Sequence, residues 1–418
     1  MTRRYYAIVT PFYPTPRAPQ LCNFVSDQVK AIGRLSSLEP VVFASCYTEP
    51  ATLDGIRIEP LRVKSFPSYL FNGWHNRANG KEFLRALNRA SISPEDIYAV
   101  HAHTTQYGAM ALALKQADSN IITLLQHHDL DPLMIVNGIG AGLWPNLLYR
   151  ALTSRKVIEQ IDLNVAVSNA ALEHLLDMRR STPSALYSRF NRLQRSLALR
   201  SLRSPRPRRA MAIINGVDPE KFFPGQSIAP ANSFTIGIIA NYQPRKGHII
   251  LIRAIAELKR RGYNNIRLLS VGADNLNRRA GIASEAARLG LDNVEFIDSI
   301  PHSELRDFML GLNLFVMPSI YEGFGCVYSE AAACGVPFIG IEKQGVADIV
   351  KPEEAHLWLA KPADHIDLAD KIEQQIKNPQ TFHPAQPLDI DFHVNRLLTA
   401  VSEVASELSA SNRYVRTF

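Results

Sequence analysis

The densest chemistry in the chain lies in Pro318-Ser319-Ile320-Tyr321-Glu322-Gly323-Phe324-Gly325-Cys326-Val327-Tyr328-Ser329-Glu330. Two carboxylates stand eight residues apart, Glu322 in a glycine-rich turn and Glu330 in the pattern that follows. Glycine lacks a Cβ, so Gly323 and Gly325 let the backbone approach a ligand closely. A strand ending near Met317 and a helix starting near Cys326 leave unpaired N–H groups and a positive dipole end at this turn, which suits phosphate. Glu322 can then face a sugar. Glu330, about a turn below the phosphate seat, can accept ribose hydroxyls. A glycine-rich turn with two solvated glutamates is the alternative. A second cluster, Ala240-Asn241-Tyr242-Gln243-Pro244-Arg245-Lys246-Gly247, sets two adjacent cations before a helical pattern, where they bind an anion or simply face water. His127-His128-Asp129 follows an apolar run, and His101 and His103 close the run before it. No acidic residue stands at metal-ligand spacing from them, so no zinc site is read.

Residues so placed need strands that end beneath them. Short apolar runs alternate with helical patterns throughout. Tyr5–Val9, Val41–Ala44, Ile97–His101, Ile121–Gln126 and Leu163–Val167 predict strands, with helices over Asn23–Leu35 and Ala109–Lys115. The alternation restarts at Phe234–Ala240 and continues through Ile266–Val271, Val294–Ile297, Leu314–Met317 and Phe338–Ile341, with a helix over Gly247–Arg261. Such runs read as buried parallel strands in doubly wound α/β sheets. Asn215-Gly216, Asp218-Pro219 and Pro224-Gly225 are turn signals that mark a linker. The expected organisation is an N-terminal domain over 1–225, a C-terminal domain over 226–390 and a helical tail over 391–418. Ligands of such sheets bind beyond the carboxyl ends of the strands. The loops Thr10–Asn23, His101–Gln106, His127–Asp131, Asn241–Gly247, Gly272–Asn275 and Ser319–Cys326 are therefore expected to carry the chemistry.

Composition narrows the class. The chain has 418 residues, 46% hydrophobic and 20% charged, which excludes a disordered, collagen-like or repeat protein. Cys22, Cys46, Cys326 and Cys334 are too few and too scattered for a disulfide framework or a zinc site. A reduced cytoplasmic setting follows. The first apolar run is too short for a signal peptide, and no window approaches the roughly 18 apolar residues of a membrane span.

Taken together, these motifs resemble those of the retaining GT-B glycosyltransferases, of the family-four type that includes bacterial polysaccharide and lipopolysaccharide hexosyltransferases. The pattern Pro-Ser-x-x-Glu-Gly-Phe-Gly-x-x-x-x-Glu-Ala-x-Ala-x-Gly-x-Pro is matched from Pro318 to Pro337. Val167-Ser168, Asn215-Gly216-Val217-Asp218, Lys246-Gly247 and Gly272 add to it. The resemblance implies two Rossmann-like domains facing across a cleft and a UDP- or GDP-sugar donor held by the second. Glu322 would contact the sugar and Glu330 the ribose, with backbone N–H groups from Gly323, Phe324, Gly325 and Cys326 on the donor. Lys246 would clamp the diphosphate. The family's usual arginine position holds uncharged Asn241, and Arg245 is the residue that can replace it. His128 would face the donor sugar, with His127 as the alternative. His103, His127 and Asn23 are expected on the acceptor side. Neither a metal nor another cofactor is implied. The implied reaction moves a hexose, with retention, to a hydroxyl of a glycan or lipid-linked acceptor in cell-surface polysaccharide or glycolipid synthesis. A synthase, phosphorylase or epimerase of the same fold, and a catalytically weak partner subunit that binds donor or glycan, remain the alternatives.

The net charge of +7 is unevenly placed. Arg179–Arg209 holds ten arginines and no acidic residue, so the remainder sums to −3. Leu186, Phe190, Leu193 and Leu197 fall on one helical stripe flanked by arginines. A basic amphipathic helix suits an anionic membrane surface. The same stripe can equally pack on its own domain. Nucleic acid is not expected as a partner, because a nucleic-acid-binding domain is more often basic throughout one fold.

Overall fold

The computed structural model describes residues 3–19, 22–63, 72–128, 153–177, 204–274 and 277–415. The chain divides into two compact units, Met1–Asn215 with Ile390–Phe418, and Gly216–Asp389.

The first unit contains β1 (Tyr5–Thr10), β2 (Glu39–Ala44), β3 (Ala51–Leu53), β4 (Ile56–Pro60), β5 (Ile97–His103), β6 (Ile122–His127), β7 (Leu163–Ala166) and β8 (Ala210–Ala212). They form one sheet in the order β3-β4-β2-β1-β5-β6-β7-β8. The β3–β4 pair is antiparallel. The others are parallel, with Ala7 opposite both Val41 and Val100. Side chains alternate between two cores. Tyr6, Ile8, Val42 and Ile58 enter one, while Ala7, Val9, Val41 and Phe43 enter the other. Burial on both faces is why these strands read as continuous apolar runs.

Helix Asn23–Leu35 covers the first face through Val25, Val29 and Ile32. The C-terminal helix Ile390–Val415 lies on the same face. Its Ile390, Val394, Leu397, Val401 and Val404 recur at four, three, four and three residues, one apolar stripe of an amphipathic helix. Arg34 pairs with Asp391, and Arg209 with Glu403 and Glu407. Exposed pairs of this kind contribute little, so the apolar stripe holds the helix. Where the sequence suggested a boundary at 225 and a separate tail, the compact units divide after Asn215 and the tail completes the first unit.

The second unit contains β9 (Phe234–Ile239), β10 (Ile266–Val271), β11 (Val294–Ile297), β12 (Leu314–Val316), β13 (Phe338–Ile341) and β14 (Leu359–Ala360). Its sheet order is β11-β10-β9-β12-β13-β14, parallel throughout. Counted along the chain, this is the order 3-2-1-4-5-6 of a doubly wound nucleotide-binding sheet. Strands β4-β2-β1-β5-β6-β7 repeat that order in the first unit, with β3 and β8 added at its edges. Strand order therefore reverses between β1 and β5, and between β9 and β12. The crevice at such a reversal, beyond the carboxyl ends, is where these sheets bind ligands.

One expected loop contracts. Strand β5 continues to His103 and the next helix starts at Thr105, so only Thr104 remains of the linking segment. Thr104 adopts φ +78°, a strained conformation for a β-branched residue. His101 and His103 thus lie within a strand, 0% and 1% exposed.

Candidate functional site

In the second unit, the segments leaving β9 and β12 meet at the reversal point. Pro244–Lys246 forms a single 3₁₀ turn, and Gly247, at φ +78°, leads into helix His248–Arg260. A Cβ on Gly247 would overlap the Pro318 carbonyl, so the two segments touch only because glycine stands there. The Ile320 N–H donates to the Arg245 carbonyl at 2.8 Å. Lys246 Nζ forms an ion pair with the Glu322 carboxylate, and the side chains are only 13% and 11% exposed. Arg245 donates from Nη1 to the Tyr321 carbonyl at 3.2 Å and from Nε to Gln243 Oε1 at 2.8 Å. Burial pulls the Glu322 carboxyl upward, but the charges of Lys246 and Arg245 outweigh it and hold the group below its ordinary value of 4.5. Glu322 is therefore ionised at neutral pH. Gln344, beyond β13, buttresses this turn. Its Oε1 accepts from the Glu322 N–H at 2.8 Å and its Nε2 donates to the Ile320 carbonyl at 3.1 Å.

Gly325 precedes helix Cys326–Ala333, and the Tyr328 hydroxyl ties that helix to β12 by donating to the Met317 carbonyl. Glu330 points one carboxylate oxygen toward His302 Nε2, 3.9 Å away. Its other oxygen, Oε2, is buried and meets no donor among the described residues. Buried acceptors are normally satisfied, so this oxygen marks a place where hydroxyl donors fit. Asn241 Oδ1 is likewise buried without a partner among the described residues. His248 is buried beside Lys246, and burial together with that charge pushes its imidazole down to about 4, so it is neutral. A cavity of about 380 Å³ opens beside this segment between Tyr242, Gln243, His248, Arg278 and Ile282. A cavity of about 610 Å³ lies instead at the amino ends of β9 and β10, away from these groups.

In the first unit, histidines gather at the carboxyl ends of β5 and β6. The rings of His101 and His103 stack at 4.6 Å, and those of His103 and His128 at 4.9 Å, within 10° of parallel. His103 Nδ1 and His128 Nε2 share a hydrogen bond of 2.7 Å. Tyr6 Oη and His101 Nδ1 share one of 3.2 Å. Burial pushes His101 down to about 3 against a hydrogen bond to Gln126. Burial, with His101 and His127 beside it, pushes His128 to about 3 as well. Burial and both ring neighbours lower His103 in the same direction. His127 is buried, pushed to about 4, and its Nε2 is held by Asn164 Oδ1 at 3.0 Å. All four are neutral at pH 7. Among the described residues no three His, Cys, Asp or Glu side chains gather as a metal site.

The Gly-rich turn, the two carboxylates and the cations on one sheet's reversal point all lie within a stretch that a family model matches. Residues 220–386 match the description "Glycosyl transferases group 1". This chain carries a group 1 glycosyl transferase domain. Its whole fold is GT-B. Sucrose-phosphate synthase from Thermosynechococcus elongatus superposes with a TM-score of 0.67 at 19% identity, covering 99% of this chain and all of that one. An Anabaena protein solved with UDP-glucose gives 0.60 at 16% identity, covering 98% and 99%. Among curated relatives, the phosphatidylinositol N-acetylglucosaminyltransferase gpi3 subunit of Schizosaccharomyces pombe is 29% identical over 187 residues, 42% of this chain. That match spans 39% of the yeast protein's length. A D-inositol 3-phosphate glycosyltransferase of Nocardioides is 25% identical over 323 residues, 71% of this chain and 63% of that protein.

Within the glycosyl transferase domain, Lys246, Arg245 and Glu322 come together, while Glu330 occupies the following helix. In the first unit, His103 and His128 come together, whereas His127 turns to Asn164 inside the sheet. Asn23 starts its helix, and its Nδ2 is buried without a partner among the described residues. Gln344 was not singled out from sequence. Its position just after β13, in another strand-to-helix connection of the same sheet, was the available signal. Ser168 of the Val-Ser pair has a local reason, since its hydroxyl caps helix Asn169–Leu176 by accepting from the Ala171 N–H at 3.0 Å. Of the arginine segment Arg179–Arg209, residues 179–203, with the stripe of Leu186, Phe190, Leu193 and Leu197, lie outside the described residues. Arg208 and Arg209, at its end, pair with Asp162 and with Glu403 and Glu407. No helix among the described residues is long and apolar enough to cross a membrane.

Proposed function

We propose that this chain is a retaining glycosyltransferase that moves a hexose from a nucleoside diphosphate sugar to a hydroxyl of a glycan or lipid-linked acceptor. The observation that carries the reading is the Lys246–Glu322 pair, which links the segments after β9 and β12 at the reversal point of a group 1 domain. The solved Anabaena neighbour with UDP-glucose supports a nucleotide-sugar donor. In this reading the diphosphate lies against Lys246, Arg245 and the N–H groups at the start of helix Cys326–Ala333. Glu322 accepts sugar hydroxyls, and the unpartnered Glu330 oxygen accepts ribose hydroxyls. The bond from the anomeric carbon to phosphate breaks, the acceptor oxygen bonds on the same face, and its proton passes to the departing phosphate oxygen. Charge grows on that phosphate in the transition state, where fixed cations act most strongly. His128 is the residue to which the resemblance assigns the contact with the sugar. Asn241 keeps a second reading open, in which the chain binds donor or glycan as a weak partner subunit, because a cation expected there is missing.

A thermal-shift screen of UDP- and GDP-sugars identifies the donor, and nucleotide release in its presence decides between the two readings. Stabilisation with release of nucleotide supports a transferase. Stabilisation without any turnover, even with acceptor glycans present, supports the binding subunit.

A further inference from the structure

We infer that Gln344 is a positioning residue that holds Glu322 against Lys246 through the backbone of residues 320–322, and so governs the sugar half of donor binding but not the nucleotide half. The inference rests on the reading of Glu322 as the sugar contact, and every residue in it belongs to the second unit. Its basis is one side-chain amide that bridges two backbone groups. Gln344 Oε1 accepts from the Glu322 N–H at 2.8 Å, and its Nε2 donates to the Ile320 carbonyl at 3.1 Å. The partners fix which way the amide points, because an N–H requires the oxygen and a carbonyl requires the nitrogen.

The segment that carries Glu322, between β12 and helix Cys326–Ala333, is neither helix nor strand. Its backbone polar groups must therefore find partners outside any ladder. Burial of Ile320, Tyr321 and Phe324 keeps the turn in place. Apolar contact is non-directional, however, and does not orient the glutamate between them. Directional bonds do that. Arg245 supplies two, its carbonyl to the Ile320 N–H and its guanidinium to the Tyr321 carbonyl. Gln344 supplies the two that bracket Tyr321 and end on Glu322 itself. Without that amide, the peptide that sets the direction of the Glu322 side chain loses its acceptor.

Nothing in the segment after β13 calls for glutamine. Gln344 stands at the N-cap of the 3₁₀ turn Gly345–Ile349, where Ser, Thr, Asp or Asn serve best, and its side chain makes no cap. It reaches across to the Glu322 turn instead. Gly345 makes that reach possible. A Cβ there would lie 2.0 Å from the Gly323 carbonyl oxygen, so only glycine lets the two segments come this close.

The test combines melting, exchange and binding on the full-length protein. Gln344→Met keeps the length of the side chain and removes both hydrogen bonds. In that background, Lys246→Met should lower the second unit's melting temperature by roughly half as much as it does in the wild type, since the pair is already loosened. Exchange of the Glu322 amide should be slow in the wild type and at least about tenfold faster in Gln344→Met. In calorimetric titration, Gln344→Met should weaken UDP-glucose about 10-fold and leave UDP within about twofold, whereas general loosening of the unit would weaken both alike. Equal losses for the two ligands, an undiminished effect of Lys246→Met, or a Glu322 amide that exchanges fast in the wild type overturns the inference. If Gln344→Met does not fold, Gln344→Glu decides, because its carboxylate still accepts from the Glu322 N–H. That amide should then stay slow, and a fast one overturns the inference. Melting and exchange need no ligand, so they decide even where UDP does not bind. A ratio of UDP-glucose to UDP affinity that Glu322→Gln leaves unchanged would instead remove the reading of Glu322 as the sugar contact, while the melting cycle still tests the hold of Gln344 on it.

Discussion

Replacing Lys246 by methionine keeps the bulk of the side chain and removes its charge. Glu322 is then left ionised in a site where its side chain is 11% exposed. Removing one partner of a buried pair costs roughly 3–5 kcal/mol, because the other charge loses its compensation. Arg245 still acts on Glu322, so the lower end, about 3 kcal/mol, is expected. For a unit of this size that lowers its calorimetric transition by roughly 6–12 °C. Glu322→Gln should destabilise in the same sense, and the double variant should lose less than the sum by about 2 kcal/mol, since the singles each strand a group that the double does not. The pH dependence has a fixed sign. The folded Glu322 carboxyl lies below its ordinary value of 4.5. The pair's contribution is therefore complete above about that pH and disappears as pH falls through the folded value. Lys246→Met should flatten this acid limb of the stability profile. Single-variant losses that add to the double within about 0.5 kcal/mol, or an acid limb identical to the wild type, would refute the coupling. The same variant should slow donor turnover by about 10²- to 10³-fold, the cost of one leaving-group donor.

Glu330→Gln should weaken the free nucleoside diphosphate by about 10- to 100-fold in calorimetric titration, the loss of charged hydrogen bonds, without lowering the melting temperature. Equal affinity would show that ribose binds elsewhere. Leu397→Ala removes a fully buried side chain of the C-terminal helix and should cost the first unit about 2–5 kcal/mol while the second unit's transition stays in place. Movement of the second transition instead would contradict the assignment of that helix. Changing Arg189, Arg192 and Arg195 to glutamate should release the protein from anionic liposomes, and wild-type binding should fall as salt screens charges beyond about 10 Å at 0.1 M. Wild-type protein that fails to co-sediment with acidic vesicles at low salt would end the membrane reading of that segment.

Most strands of both sheets were legible because each is buried on two faces and so reads as a short apolar run. Others left a weaker trace. The β3–β4 hairpin turns on Asp54-Gly55, at φ +50° and +78°, a two-residue turn signal flanked by strands too short to show their own period. Strand β14 is two residues long and helix Ala355–Trp358 four, too short for any period to show. The C-terminal helix was read as a helix, but its place in the first unit depends on a long-range match between its apolar stripe and helix Asn23–Leu35. The Lys246–Glu322 pair had both members named from motifs, yet their contact follows from strand order, which brings segments 76 residues apart to one point. The histidine stack was less legible. His101 and His103 face one way along β5 by the period of two, but the meeting with His128 needs the β5–β6 register.

Both units place their buried polar side chains in a way that folding alone does not demand. Thr10, His101, His103, Gln126 and His127 cluster toward the carboxyl ends of β1, β5 and β6. Ser270, Ser319 and His248 do the same around β9, β10 and β12. The amino half of β1 buries Tyr6 and Ala7. Burying a polar group costs free energy unless it is bonded, and several of these atoms have no partner among the described residues. A chain selected only for stability would fill such positions with valine or isoleucine, which suit parallel strands. Departures from that rule are expected where function is carried, and several fall at the two reversal points of the strand order, while others, such as Thr123 with Asp162, are bonded to each other at the amino ends of strands. The strain at Thr104 and the glycine-dependent contact at Gly247 fall at the same ends. Each sheet thus carries unbonded buried polar atoms at the carboxyl ends of its central strands, and in the second unit Lys246 and Glu322, to which the proposed transfer assigns the diphosphate and the sugar, stand at that end.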